Sequence, residues 1–155
     1  MSQRSKILFV CLGNICRSPL AEAAFRAEAE RAGLDAEADS AGTGNWHVGD
    51  PPDPRAIEQA RMHDIDISAY KGRQVTEDDF RRFTHVFALD EANFEVLESI
   101  RPADGTAKLG MLMDVVPDKR GQPVADPYFG DADGFVTTWN DVHEAARALV
   151  AQLQG

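Results

Sequence analysis

One junction near the start of the chain constrains its fold more than any other feature. A short apolar run, Ile7-Leu8-Phe9-Val10, passes through Cys11-Leu12-Gly13-Asn14-Ile15-Cys16-Arg17-Ser18-Pro19 into a stretch whose apolar residues recur at helical spacing. An apolar run without alternation is the pattern of a strand buried on both faces, as in parallel sheets covered by helices. Pro19 to Arg31 then reads as a helix, with Ser18 expected as N-cap and Pro19 at the first position. Leu20, Ala23, Ala24 and Ala27 share one face, and Gly33 stops the helix.

The same alternation continues. Ala36 to Ser40 reads as a second strand, followed by a Gly/Pro-rich loop from Gly42 to Pro54 that carries Trp46. Arg55 to His63 suits a helix capped by Asp53, and Thr76 to Phe83 another, capped by Thr76 with Asp79 at the capping-box site. His85 to Leu89 is a third strand, Glu91 to Ile100 a helix, and Lys108 to Met113 a fourth strand. Val142, Ala145, Ala146, Leu149 and Leu153 lie at helical spacing in a final helix from Phe135. Strand–helix alternation implies right-handed crossovers and an α/β fold: a parallel sheet with helices on both faces, in one domain over residues 1–155. Ligands of such sheets bind beyond the carboxyl ends of the strands, where the Cys11 loop would lie.

Charge narrows the partners. Asp and Glu outnumber Lys and Arg 26 to 16, for a formal net charge of −10, and no basic cluster appears. Nucleic acid and anionic membrane are therefore not expected partners. Arg4 and Lys6 precede an apolar run of only six residues without a small-residue cleavage site, so a signal peptide is not expected. The two cysteines, both in one loop, make no disulfide framework, and a cytoplasmic location is expected.

Cys-x5-Arg alone occurs by chance in many chains, and a strand-end cysteine is usually a small buried hydrophobe. Here the context is a strand–loop–helix with Gly13, Asn14 and Ser18-Pro19. Backbone N–H groups from Leu12 to Ser18 can converge as an anion nest, with Gly13 expected to supply positive φ and Asn14 tolerating it. An ordinary thiol is only ~3% thiolate at pH 7. The helix N-terminus, the Arg17 charge and the Ser18 hydroxyl each favour the thiolate of Cys11. Arg17 also offers a planar fork matched to two phosphoryl oxygens. Cys16 reads equally as core filler or as a reversible disulfide partner that shields Cys11 from overoxidation. The cysteine and histidine spacings fit no zinc site, and neither metal nor cofactor is expected.

Cleaving a phosphate ester through sulfur also needs a proton donor. Asp126 stands out by context, in Ala125-Asp126-Pro127-Tyr128-Phe129-Gly130, although composition alone would make this a plain Asp-Pro turn. Trp46, in a glycine-rich loop, reads as a site wall rather than core. His47, His63, His85 and His143 are scattered and read as structural or surface.

Taken together, these residues resemble the low-molecular-weight protein tyrosine phosphatase family over nearly the whole chain. The Cys11–Pro19 loop resembles its phosphate-binding signature, and Asp126-Pro127-Tyr128 its general-acid loop. The resemblance implies a four-stranded parallel sheet and a two-step reaction through phosphocysteine. Cys11 would be nucleophile, Arg17 the phosphate clamp, Asp126 acid then base, and Ser18 the thiolate's partner. Residues Leu12, Gly13, Asn14, Ile15, Cys16, Arg17 and Ser18 would bind phosphate. Asn14 would hold the loop with Ser40, and Trp46 and Tyr128 would wall a cleft for a phosphotyrosine protein. Many members have two adjacent tyrosines after Asp-Pro. The second is here Phe129, which removes that phosphorylation site and leaves Tyr128.

Three alternatives share features of this reading. Thiol-relay arsenate reductases need later cysteines, and this chain has none after Cys16. Protein-arginine phosphatases resemble the loop but tend to carry Thr where Ile15 stands. A non-enzymatic redox sensor would switch Cys11 and Cys16 between thiol and disulfide, but has no use for a positioned Asp126.

Overall fold

The computed structural model describes residues 4–128, 130 and 132–154. Phe129, and with it the expectation about phosphorylation at that position, lies outside the described residues. Four parallel strands form one sheet in the order β2-β1-β3-β4, with β1 at Ser5–Cys11, β2 at Ala36–Gly42, β3 at His85–Ala88 and β4 at Lys108–Met111. The order reverses around β1, so the crevice beyond its carboxyl end is the switch point of the sheet.

Central strand β1 is buried on both faces, as its unbroken apolar run requires. Ile7, Phe9 and Cys11 enter one core, with Phe25 of α1 (Arg17–Ala32), Ala56 and Ala60 of α2 (Pro54–Arg61), and Phe135, Trp139 and Leu149 of α5 (Ala132–Gln154). Leu8 and Val10 enter the other, with Phe80 of α3 (Asp79–Arg82) and Leu97 of α4 (Glu91–Ile100). Phe9 meets Phe25 and Phe87 with ring centroids 5.9 and 6.3 Å apart. Each such fully buried aromatic contributes about 2–3 kcal/mol of apolar burial. The three-layer arrangement fixes where β1 ends, and so where Cys11 sits. Among the described residues no helix is long and apolar enough to cross a membrane.

Several local expectations need correction. Helix α1 begins at Arg17, one turn of loop tightening directly into helix, and Ser18 makes no cap: its hydroxyl is drawn instead toward Cys11 and Asn14. Gly33, at φ 70°, closes the helix in the left-handed region as expected. Asp53 caps α2, accepting the Arg55 N–H at 2.8 Å, with Pro54 in the first turn. Of Thr76–Phe83 only Asp79–Arg82 is helical, but the capping-box bond expected of Asp79 is present: its buried carboxylate accepts the Thr76 N–H at 2.8 Å and also holds the fork of Arg73. The fourth strand stops at Met111, where a 3-10 turn (Leu112–Val115) turns Leu112 and Met113 into the core.

Candidate active site

The loop between β1 and α1 is built so that its carbonyls are tied outward. Cys11 O accepts from Thr43 N at 2.9 Å, Leu12 O from Gly44 N at 3.0 Å, Ile15 O from Asp53 N at 2.8 Å, and Cys16 O from Leu20 N at 3.3 Å. Among the described residues, the N–H groups of Gly13 to Ser18 have no hydrogen-bond partner. Free N–H groups of this kind, in a loop that leads straight into the N-terminus of α1, are what an anion nest is made of. The turn is made by Asn14, at φ 59°, and not by Gly13, which has no positive φ. Gly13 serves closeness instead: a Cβ there would stand 3.2 Å from His47 Cδ2.

Asn14 pays back its left-handed backbone through its side chain. Its Oδ1 accepts the Arg73 backbone N–H at 3.0 Å, a donor that cannot reverse. Nδ2 must therefore face inward, donating to Ser18 Oγ at 2.8 Å and Ser40 Oγ at 3.0 Å. Ser40 passes its own hydrogen to Glu22 Oε1 at 2.8 Å. The Ser18 hydrogen is left to point at Cys11 Sγ, 3.0 Å away, in preference to Ala41 O at 3.4 Å. Glu22 is buried at the end of this chain, and burial pushes its carboxyl above the usual range despite Arg26 beside it.

Arg17 is 5% exposed at its side chain. Nη1 donates to Asp90 Oδ2 at 2.7 Å and to Val124 O at 3.1 Å, while Nη2 lies 3.6 Å from Asp126 Oδ2. Asp90 is itself fixed as the N-cap of α4, taking the Asn93 N–H at 2.8 Å. Asp126 projects into the cleft from the far side, its side chain 44% exposed, and folds back in a turn onto the Tyr128 N–H at 3.0 Å.

Cys11 and Cys16 are both buried, unpaired thiols. Burial, and then the charge of Asp53, push the Cys16 thiol up. Cys16 belongs to the buried core beneath the loop and also lines the cleft.

The cleft above the loop has a volume of about 180 Å³. Residues of the loop from Cys11 to Arg17 line it on one side, and Trp46, His47, Asp126 and Tyr128 come from other segments. Trp46 is 68% exposed, a wall and not core, as its glycine-rich setting implied. Cys11, Leu12, Gly13, Ile15, Cys16, Arg17, Trp46, Asp126 and Tyr128 line the cleft, and Asn14, Ser18 and Ser40 support the loop from behind. Four participants were missed. His47 was read as structural or surface but lines the cleft, its Nδ1 held by Asp50 at 3.2 Å. Asp90, Arg73 and Arg55 carry no local signal, since each meets its partner across the fold. A positive-φ residue needing a backbone donor could have prompted a search for Arg73, but not its position.

A thiol at the start of a loop of free N–H groups, with a guanidinium and a carboxyl lining the same cleft, fits the class of enzymes that move a phosphoryl group onto sulfur. Comparison with known proteins gives the particular family. The family profile for low molecular weight phosphotyrosine protein phosphatase matches residues 6–155. The low molecular weight phosphotyrosine protein phosphatase of Schizosaccharomyces pombe is 42% identical over 87% of this chain and 88% of its own. The crystal structure of YfkJ from Bacillus subtilis superposes with a TM-score of 0.90 at 37% identity, covering 99% of this chain and 96% of that one. A Drosophila arginine phosphatase superposes with a TM-score of 0.91 at 30% identity, over 97% and 98% of the two chains. This chain belongs to the low molecular weight phosphotyrosine protein phosphatase family.

Proposed function

We propose that the chain acts on phosphoproteins as a protein-tyrosine phosphatase, hydrolysing phosphotyrosine and small aryl phosphates through a phosphocysteine intermediate. The observation that carries this reading is that Cys11 opens the loop whose N–H groups at residues 13–18 have no partner among the described residues, with Arg17 and Asp126 lining the same cleft. The phosphoryl oxygens enter the nest. With Nη1 anchored on Asp90, the remaining donors of Arg17 serve two of those oxygens. The Cys11 thiolate, held by the Ser18 hydroxyl, attacks phosphorus, the S–P bond forms and the P–O(aryl) bond breaks. Asp126 gives its proton to the leaving phenolate oxygen. A water then attacks phosphorus, its proton passing to the Asp126 carboxylate, and the S–P bond breaks to release inorganic phosphate and the thiolate. The nest and Arg17 hold the charge of the equatorial oxygens through both transition states.

Ile15 and Trp46 give the cleft an apolar, aromatic lining suited to an aryl group, which also favours this substrate over a phosphoarginine guanidinium. The decisive test is hydrolysis of phosphotyrosine peptides by the wild type and by Cys11→Ser. Turnover that survives the substitution, or faster turnover of phosphoarginine than of phosphotyrosine, overturns the reading.

A further inference from the structure

Residues 53–55 join the two sides of the cleft. Arg55 donates from Nη1 to Gly130 O and from Nη2 to Tyr128 O, each at 2.9 Å, and these carbonyls belong to the segment just after Asp126. The same guanidinium holds Asp53, Nε to Oδ1 at 3.1 Å and Nη2 to Oδ2 at 3.0 Å. Its Cζ lies over the Phe135 ring, 4.8 Å from the centroid. On the other side, the Asp53 N–H donates to Ile15 O at 2.8 Å, in the phosphate loop. Both residues are set by α2, since Asp53 is its N-cap and Arg55 lies in its first turn. A short chain of hydrogen bonds therefore runs from the carbonyl of Ile15 through Asp53 and Arg55 to the carbonyls of Tyr128 and Gly130.

Asp126 has little else to hold it. Among the described residues its carboxyl meets only the Tyr128 N–H of its own turn and, at 3.6 Å, Arg17 Nη2. A general acid must stand within hydrogen-bond reach of the leaving oxygen, and a misplacement of about 1 Å costs on the order of 10²-fold in rate. We infer that Arg55 is a positioning residue for the Asp126 carboxyl, with Asp53 referencing that position to the phosphate loop. The inference rests on the role proposed above for Asp126. Arginine suits this task because its rigid fork reaches two carbonyls and a carboxylate at once, whereas lysine presents one point charge.

The test is Arg55→Met, which keeps the apolar stem over Phe135 and removes every hydrogen bond. The readout is kcat/KM for p-nitrophenyl phosphate, a good leaving group, and for phenyl phosphate and phosphotyrosine, poor ones. Each is measured in the wild-type and Asp126→Asn backgrounds, with competitive inhibition by inorganic phosphate as the gauge of the loop. The expected loss is about 10–100-fold for the poor leaving groups and under about 3-fold for p-nitrophenyl phosphate. In the Asp126→Asn background the same substitution should add less than about 2-fold, because residues acting as a unit are not additive. Phosphate inhibition should stay within about 2-fold of wild type if the loop is untouched. An equal loss for all leaving groups, or an undiminished loss in the Asp126→Asn background, overturns the inference. Should Arg55→Met fail to fold, Asp53→Asn replaces it, since asparagine still caps α2 while releasing the guanidinium. It should show the same leaving-group pattern, and its absence overturns the inference equally. If Asp126→Asn by itself left the dependence on leaving group unchanged, the proposed function would fail. If Asp126 mattered and Arg55 did not, only the positioning role would.

Discussion

Ser18 Oγ lies 3.0 Å from Cys11 Sγ, and the direction of that hydrogen bond is decided through Asn14 by Arg73, 59 residues beyond Asn14. The Arg73 backbone N–H occupies Asn14 Oδ1, which turns Nδ2 onto the Ser18 oxygen and leaves the Ser18 hydrogen for sulfur. Ser18→Ala should therefore weaken the nucleophile without altering the loop's backbone. A hydrogen bond to a charged group is worth about 1.5–3 kcal/mol, so the first chemical step should slow about 10- to 100-fold. The burst of p-nitrophenol in rapid-mixing experiments measures that step, and an unchanged burst rate would remove Ser18 from the mechanism.

Asp126→Asn should cost about 10²–10³-fold in kcat/KM for phosphotyrosine and much less for p-nitrophenyl phosphate, because a good leaving group needs little protonation. A series of substituted aryl phosphates measures that dependence on the leaving group. An equal loss across the whole series would contradict the assignment.

Asn14 joins two demands, a φ of 59° and a side chain that meets Arg73, Ser18 and Ser40. Asn14→Ala strains the backbone and leaves the part-buried Arg73 N–H without its partner, for a loss of about 2–3 kcal/mol in stability. Asn14→Gly relieves the strain but not the lost hydrogen bonds. Urea unfolding should show glycine recovering part of the stability, while kcat/KM stays depressed in both variants.

The hydrogen bonds of Arg55 hold the Asp53 carboxyl below the usual carboxylate range. As pH falls, the unfolded chain takes up that proton before the folded one, so the stabilisation is present above about pH 4 and is lost as pH falls through the folded value. Asp53→Asn should cost about 1–2 kcal/mol at neutral pH, and its urea midpoint should converge on that of the wild type in acid. Parallel curves across the whole range would show that the Asp53–Arg55 pair carries no linked stability.

The elements of the fold were legible because each depends on neighbours in the chain. Ile7 to Val10 is an unbroken apolar run that reads as a doubly buried strand, and Asp53-Pro54 stands directly before a stretch that reads as helix. The capping rule failed where side chains of the loop competed for the same hydroxyl. Ser18 makes no cap and meets Cys11 and Asn14 instead.

By itself the sequence determined the α/β alternation, the loop that joins Cys11 to Arg17, and the order of loop and acid along the chain. Those are matters of period, spacing and residue type, which short-range sterics and apolar burial enforce. Only the tertiary structure decided how the site is held. Arg17 meets Asp90 across 73 residues and Val124 O across 107, and Arg55 reaches Gly130 across 75. Such bonds exist because the parallel crossovers bring the carboxyl ends of β1 and β3 to one crevice, where buried polar groups must find partners from whatever segment lies opposite.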